Sequence, residues 1–214
     1  GSNSPRTAVE SSQEAEKLGV DALLQVVPYY NRPSQEGLYQ HFKTVAENTS
    51  LPILLYNIPG RTGCNMEPET IARLAEIPNI IGNKEAAGSL EQLIAIRTLC
   101  PKDFILYSGD DALNLDFMKE GAYGVVSVAS HIAGKEIKAM MEAYVAGNSE
   151  EAMALNTRLA PLFQALFLTS NPVPVKAALG MIGFSVGEPR LPLVPLTETE
   201  HKTLELVVDS FLGT

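Results

Sequence analysis

Short apolar runs recur along the chain, each bounded by Gly, Pro, Asn or Asp, and between them lie stretches whose apolar positions repeat at helical spacing. The runs at residues 22–27, 53–56, 79–83, 104–108 and 124–128 have the length and composition of strands. The intervening segments carry helix punctuation. Ser34 suits the cap of a helix whose apolar side includes Leu38, Phe42 and Val45, and Pro68 suits the first turn of a helix carrying Ile71 and Leu74. Asp110 or Asp111 is expected to cap a helix running to Glu120, with Gly121 ending it in a left-handed conformation. Strands alternating with helices imply parallel pairing with right-handed crossovers, hence an α/β fold that is either a doubly wound sheet or a barrel.

Before the first strand, Ser4, Pro5 and the residues up to Leu18, closed by Gly19, form a capped helical pattern, so the alternation begins in mid-unit. A (β/α)8 barrel has eight strands and typically about 250 residues. With five strands visible, three strand units are expected upstream of Gly1. After Val128 the pattern turns helical: Ile137, Met140, Met141 and Tyr144 share one face, Gly147 ends that helix, and Ser149 opens a long one through Leu168 that Asn171-Pro172 breaks. A further helix is predicted over residues 175–182, then a Pro-rich extended stretch over 190–196, and Thr197 with Glu200 forms a capping box for the last helix. The expected organisation is a partial (β/α)8 barrel over residues 1–134, followed over 135–214 by the last barrel helix and a C-terminal helical appendage.

Composition narrows the function classes. The chain has 214 residues, 45% of them hydrophobic, and a formal net charge of −9, with no run of Lys or Arg. Nucleic acid and anionic membrane surfaces need clustered cations, so neither is an expected partner. Cys64 and Cys100 have no ligand-like spacing, so neither a disulfide framework nor a structural zinc site is implied, and a reducing cytosol fits. No apolar stretch approaches the roughly 18 to 20 residues of a membrane span, and the N-terminus has no signal-peptide pattern, so a soluble, cytoplasmic protein is expected.

In parallel α/β folds the chemistry collects where strands end and loops begin. Lys84 directly follows the run Ile80-Ile81-Gly82 and has small residues after it. Burial would lower its pKa and supply a neutral amine able to form an imine with a carbonyl; the alternative is a strand-end lysine that reaches solvent or pairs with Glu85. Tyr56 ends the preceding run, and neighbouring parallel strands lie about 4.8 Å apart, so both side chains can face one pocket and the phenol can relay protons. Its alternative is a packed aromatic. Arg61 stands just beyond Tyr56 in a Gly/Pro-rich loop, where it could grip a substrate carboxylate or simply be solvated. Asp110 and Asp111 suggest capping rather than a metal site, and His41, His131 and His201 show no ligand spacing and are read as structural.

Three strings, residues 28–35 (PYYNRPSQ), 55–63 (LYNIPGRTG) and 84–88 (KEAAG), resemble signatures of the dihydrodipicolinate synthase family, within the N-acetylneuraminate lyase-like class I aldolases. Residues 108–111 (SGDD), 124–128 (GVVSV) and 171–176 (NPVPVK) extend the resemblance almost to the C-terminus. It implies a barrel enzyme that condenses pyruvate with aspartate semialdehyde to 4-hydroxy-tetrahydrodipicolinate, with no cofactor beyond the imine that pyruvate forms with the protein. By the same resemblance Lys84 is the imine-forming lysine and Tyr56 its proton-exchanging tyrosine. Tyr30 is a relay tyrosine supplied across a dimer interface, Arg61 recognises the aldehyde substrate's carboxylate, and the backbone of Val126 contacts pyruvate. A homodimer or homotetramer is implied. Asn3 and Tyr29 match positions that bind the inhibitor lysine in regulated members, whereas Thr7 replaces an acidic residue there, so weak inhibition or none is expected. Asn83 stands where the family is usually apolar, and strand alternation should point it away from Lys84. Two other readings stay open: a sugar-acid lyase of the same fold, disfavoured by Arg61 in its Gly-Arg-Thr-Gly string, and a non-catalytic chain that only self-associates through unpaired sheet edges.

Overall fold

The computed structural model describes residues 1–213. It contains two compact units, one over Gly1–Val126 and one from Ser127 onward. In the first, helices and strands alternate: α1 (Pro5–Lys17), β1 (Leu23–Val26), α2 (Gln35–Ala46), β2 (Ile53–Asn57), α3 (Pro59–Thr62), α4 (Pro68–Leu74), β3 (Ile80–Glu85), α5 (Leu90–Leu99), β4 (Ile105–Ser108), α6 (Asn114–Lys119) and β5 (Gly124–Val125). All the strand pairings are parallel and the order is β1-β2-β3-β4-β5. Each new strand joins on the same side, as in a barrel, with none of the reversal of order that marks a doubly wound sheet.

Side-chain alternation gives the sheet two unlike faces. Leu23, Ile53, Leu55, Ile80 and Leu106 are buried with Leu38 and Phe42 of α2, Ile71 and Leu74 of α4, Leu93 and Ile96 of α5, and Phe117 of α6. The opposite face carries Leu24, Val26, Leu54, Tyr56, Ile105 and Tyr107, all less buried. The pairing of β2 with β3 is interrupted once. Ile53 faces Ile80 but Leu54 faces Gly82, so Ile81 is an extra residue on β3. Without that bulge Tyr56 would face Asn83; with it Tyr56 faces Lys84. A Cβ on Gly82 would lie 2.3 Å from the Ile105 carbonyl oxygen, so a residue with no side chain is needed there for β4 to approach.

Helix ends follow the sequence where short polar residues precede them. Ser4, Ser34 and Ser89 each accept a backbone N–H from the first turn of α1, α2 and α5, and Gly19 and Gly121 take positive φ at the ends they close. Near α6 the expectation fails. The helix starts only at Asn114 with no side-chain cap, because Asp110 instead accepts the N–H of Ala112 in a tight turn and Asp111 lies buried. β5 is also shorter than its apolar run: one more ladder bond, from Val126 N–H to the Ser108 oxygen, ends the pairing.

The second unit is helical, with α7 (Ser130–Val145), α8 (Ser149–Ala165), α9 (Val173–Met181) and α10 (Glu198–Leu212). Met140, Leu159, Leu162, Phe163, Leu204 and Val208 are buried in it. Both bonds of the Thr197–Glu200 capping box are formed. α8 ends at Ala165, earlier than its sequence pattern, because the N–H groups of Phe167 and Leu168 turn to the carbonyls three residues back and the last turn tightens. Among the described residues no helix is long and apolar enough to cross a membrane.

Candidate active site

Lys84 lies on β3 next to its last residue, and its relative exposure is only 9% although it bears an ionisable amine. The bulge places it beside its register partner Tyr56, and the amine Nζ sits 3.9 Å from the centroid of the Tyr56 ring, where the π face attracts a cation. Loss of solvent lowers the lysine's pKa; the negative charge of Asp111 works against this and the positive charge of Arg61 adds to it. Desolvation outweighs the opposing carboxylate, so the neutral, nucleophilic amine is more accessible than in a free lysine. Tyr56 is pushed the other way: burial raises its phenol pKa, partly offset by Arg61, which keeps the hydroxyl protonated and able to donate at neutral pH.

Glu85, the next residue on β3, points to the opposite face and is not the partner of Lys84. It is fully buried, and its carboxylate accepts from Asn57 Nδ2 at 3.1 and 3.2 Å, Asn83 Nδ2 at 3.0 Å and the Ala87 N–H at 2.8 Å. Asn57 also donates to Asn65 Oδ1, which in turn accepts from Gln92 of α5. A polar cluster thus ties β2, β3 and α5 together directly behind the lysine. Asn83 belongs to that cluster, facing away from Lys84 as alternation requires.

Arg61 occupies the single turn α3, opened by Pro59 and closed by Gly63 at φ 73, and its side chain is exposed while its charge reaches both Tyr56 and Lys84. Tyr30 is held in the neighbouring loop, its N–H bonded to the Thr62 oxygen at 3.2 Å. It does not join the Lys84 cluster: the residue is 89% exposed and its φ of 74 is strained for a residue with a Cβ. Val126 lies one position past β5, tied through its N–H to β4. Asn3 and Tyr29 are brought together, the Asn3 amide donating to the Tyr29 carbonyl at 3.2 Å.

Two functional features escaped the sequence reading. Asp111 is buried and its charge raises the Lys84 pKa rather than capping a helix, and no local signal marks this. The Glu85 cluster draws on four separate stretches and leaves no local pattern. His41 is buried with its ring edge-on to Phe42, and burial pushes its pKa down to about 4. No three His, Cys, Asp or Glu side chains among the described residues gather as a metal-ligand group.

Comparisons with known proteins identify the family. A 4-hydroxy-tetrahydrodipicolinate synthase of Moorella thermoacetica is 57% identical over 204 residues, covering 95% of this chain and 70% of the relative. The crystal structure of a dihydrodipicolinate synthase from Bacillus anthracis superposes with a TM-score of 0.96 at 47% identity, covering 98% of this chain and 72% of that one. The enzyme from Cyanidioschyzon merolae, solved with lysine bound, gives a TM-score of 0.96 at 50% identity over 100% of this chain and 72% of that one. The model of the dihydrodipicolinate synthetase family matches residues 1–210, and the chain belongs to that family.

Proposed function

We propose that this protein condenses pyruvate with aspartate semialdehyde to 4-hydroxy-tetrahydrodipicolinate, through an imine on Lys84. The observation that carries the mechanism is the desolvated lysine amine 3.9 Å over the ring of its register partner Tyr56. The neutral amine adds to the ketone carbon of pyruvate, and loss of one water gives the imine. The protonated imine nitrogen then accepts the electron pair released when a methyl proton leaves, so the substrate adduct supplies its own electron sink and no added cofactor enters the scheme. The resulting enamine carbon attacks the aldehyde, and ring closure follows.

Tyr56 has the chemistry for the proton transfers, since its phenol stays protonated at rest and borders the amine. Arg61, exposed yet within electrostatic reach of both groups, suits a substrate carboxylate at the mouth of the site. Val126 offers its backbone for pyruvate. Tyr30 is assigned to the site of a second subunit in a homodimer or homotetramer; its exposure and strained backbone support a role outside its own protomer. Asn3 and Tyr29 are assigned to an effector site for lysine, with Thr7 leaving it without an acidic ligand and inhibition correspondingly weak.

A coupled assay tests the substrate assignment. Turnover is expected with pyruvate and aspartate semialdehyde and not with N-acetylneuraminate or 2-keto-3-deoxy acids; turnover of the sugar acids alone would make the protein a lyase of the same fold.

A further inference from the structure

Gly109 directly follows β4, and its φ is not among the positive values that would call for glycine on backbone grounds. Space is the constraint instead. A Cβ there would lie 2.7 Å from Ala86 Cβ, 3.1 Å from Lys84 Cε and 3.3 Å from the Glu85 carbonyl oxygen. The backbone has little room to retreat. The Gly109 N–H is bonded to the Glu85 oxygen at 2.7 Å, the Ala86 N–H to the Asn57 oxygen at 2.8 Å, and Ser108 Oγ bridges both the oxygen and the N–H of Asp110. Of the atoms crowded by a side chain at 109, Ala86 Cβ is nearest and fixed to its backbone, whereas Lys84 Cε belongs to a flexible group that yields without moving a strand.

We propose that Gly109 is a positioning residue for the imine-forming lysine: its missing side chain is the space that lets Lys84 Cε lie against β4 with the amine over Tyr56. The proposal rests on the imine reading of Lys84. The contact at 3.1 Å must open by a few tenths of an ångström to become ordinary, and since misplacement by about 1 Å can cost about a hundredfold, a loss of about tenfold in imine formation is expected. The step affected is addition of the amine to pyruvate; use of the aldehyde is not.

The test separates the lysine contact from the Ala86 contact. Single-turnover imine formation with pyruvate, trapped by borohydride and read by intact mass and peptide mapping, is compared for wild type, Gly109→Ala, Ala86→Gly and the double variant. The double variant removes the 2.7 Å clash but keeps the contact with Lys84. It is expected to melt near wild type, to form the imine about tenfold more slowly, and to keep the wild-type KM for aspartate semialdehyde. Wild-type rates in Gly109→Ala, recovery of imine formation in the double variant to the level of Ala86→Gly, or failure of the double variant to fold would each overturn the proposal, since each removes Lys84 from the role of Gly109. Absence of label on Lys84 in the wild type is a separate result, which removes the imine reading and this proposal with it.

Discussion

Replacing Glu85 tests whether the cluster behind the lysine holds the strands in place. In Glu85→Ala, Asn83 Nδ2 and the Ala87 N–H lose the acceptor they share, while Asn57 Nδ2 keeps Asn65 Oδ1. Each buried donor left without a partner costs about 1–3 kcal/mol, and release of a desolvated carboxylate offsets part of the sum, so a net loss of about 3 kcal/mol is expected. Glu85→Gln keeps the shape and one acceptor oxygen and should lose about 1 kcal/mol. The two variants also predict a pH effect. Burial raises the Glu85 pKa, more than its hydrogen bonds to Ala87, Asn57, Gln92 and Asn83 lower it, so the folded protein binds that proton more tightly than the unfolded chain. Its contribution is therefore full below the unfolded value of 4.5 and is lost as pH rises through the folded value. Both variants should remove this decline. The chain has no Trp, so urea unfolding followed by circular dichroism is the suitable assay. At a slope of about 3 kcal/mol per M, Glu85→Ala should lower the midpoint by about 1 M. A loss below about 0.5 kcal/mol, with the decline intact, would show that the cluster does not secure the strands.

Tyr56→Phe keeps the ring under the lysine amine, so pyruvate labelling should persist while turnover falls by about 10² to 10⁴; steady-state kinetics beside borohydride trapping checks both. Arg61→Ala removes a charge that lowers the Lys84 pKa and should move the pH profile of imine formation upward, whereas Asp111→Asn removes one that raises it and should move the profile downward. Arg61→Ala should also weaken use of aspartate semialdehyde through loss of a contact worth about 1.5–3 kcal/mol, read as a raised KM for that substrate. Mixing inactive Lys84→Ala and Tyr30→Phe proteins should restore activity if subunits exchange, because a mixed dimer has one site with both Lys84 and the partner's tyrosine; exchange without recovery would remove the role of Tyr30 in trans.

The strand–helix alternation was legible because each element carries local signals: β-branched runs, Ser34 and Ser89 as caps, Gly121 at a left-handed end. The pairing of Tyr56 with Lys84 was legible only in outline. Adjacent strand ends imply proximity, but which face Lys84 takes depends on a one-residue bulge at Ile81 that periodicity does not reveal. The acceptor role of Glu85 and the electrostatic role of Asp111 were hidden for the same reason, since their partners lie on other elements. Asp111 was also misread because an acidic pair before a helix usually caps it, and here the chain makes a tight turn first.

Borohydride trapping with pyruvate shows whether the Lys84 amine is the nucleophile. Reduction turns an imine into a stable amine, so peptide mapping should place the pyruvate-derived adduct on Lys84, with Lys84→Ala unlabelled. An adduct on Lys176, which donates to the Glu188 carbonyl in the helical unit, or undiminished labelling of Lys84→Ala, would place the nucleophile elsewhere.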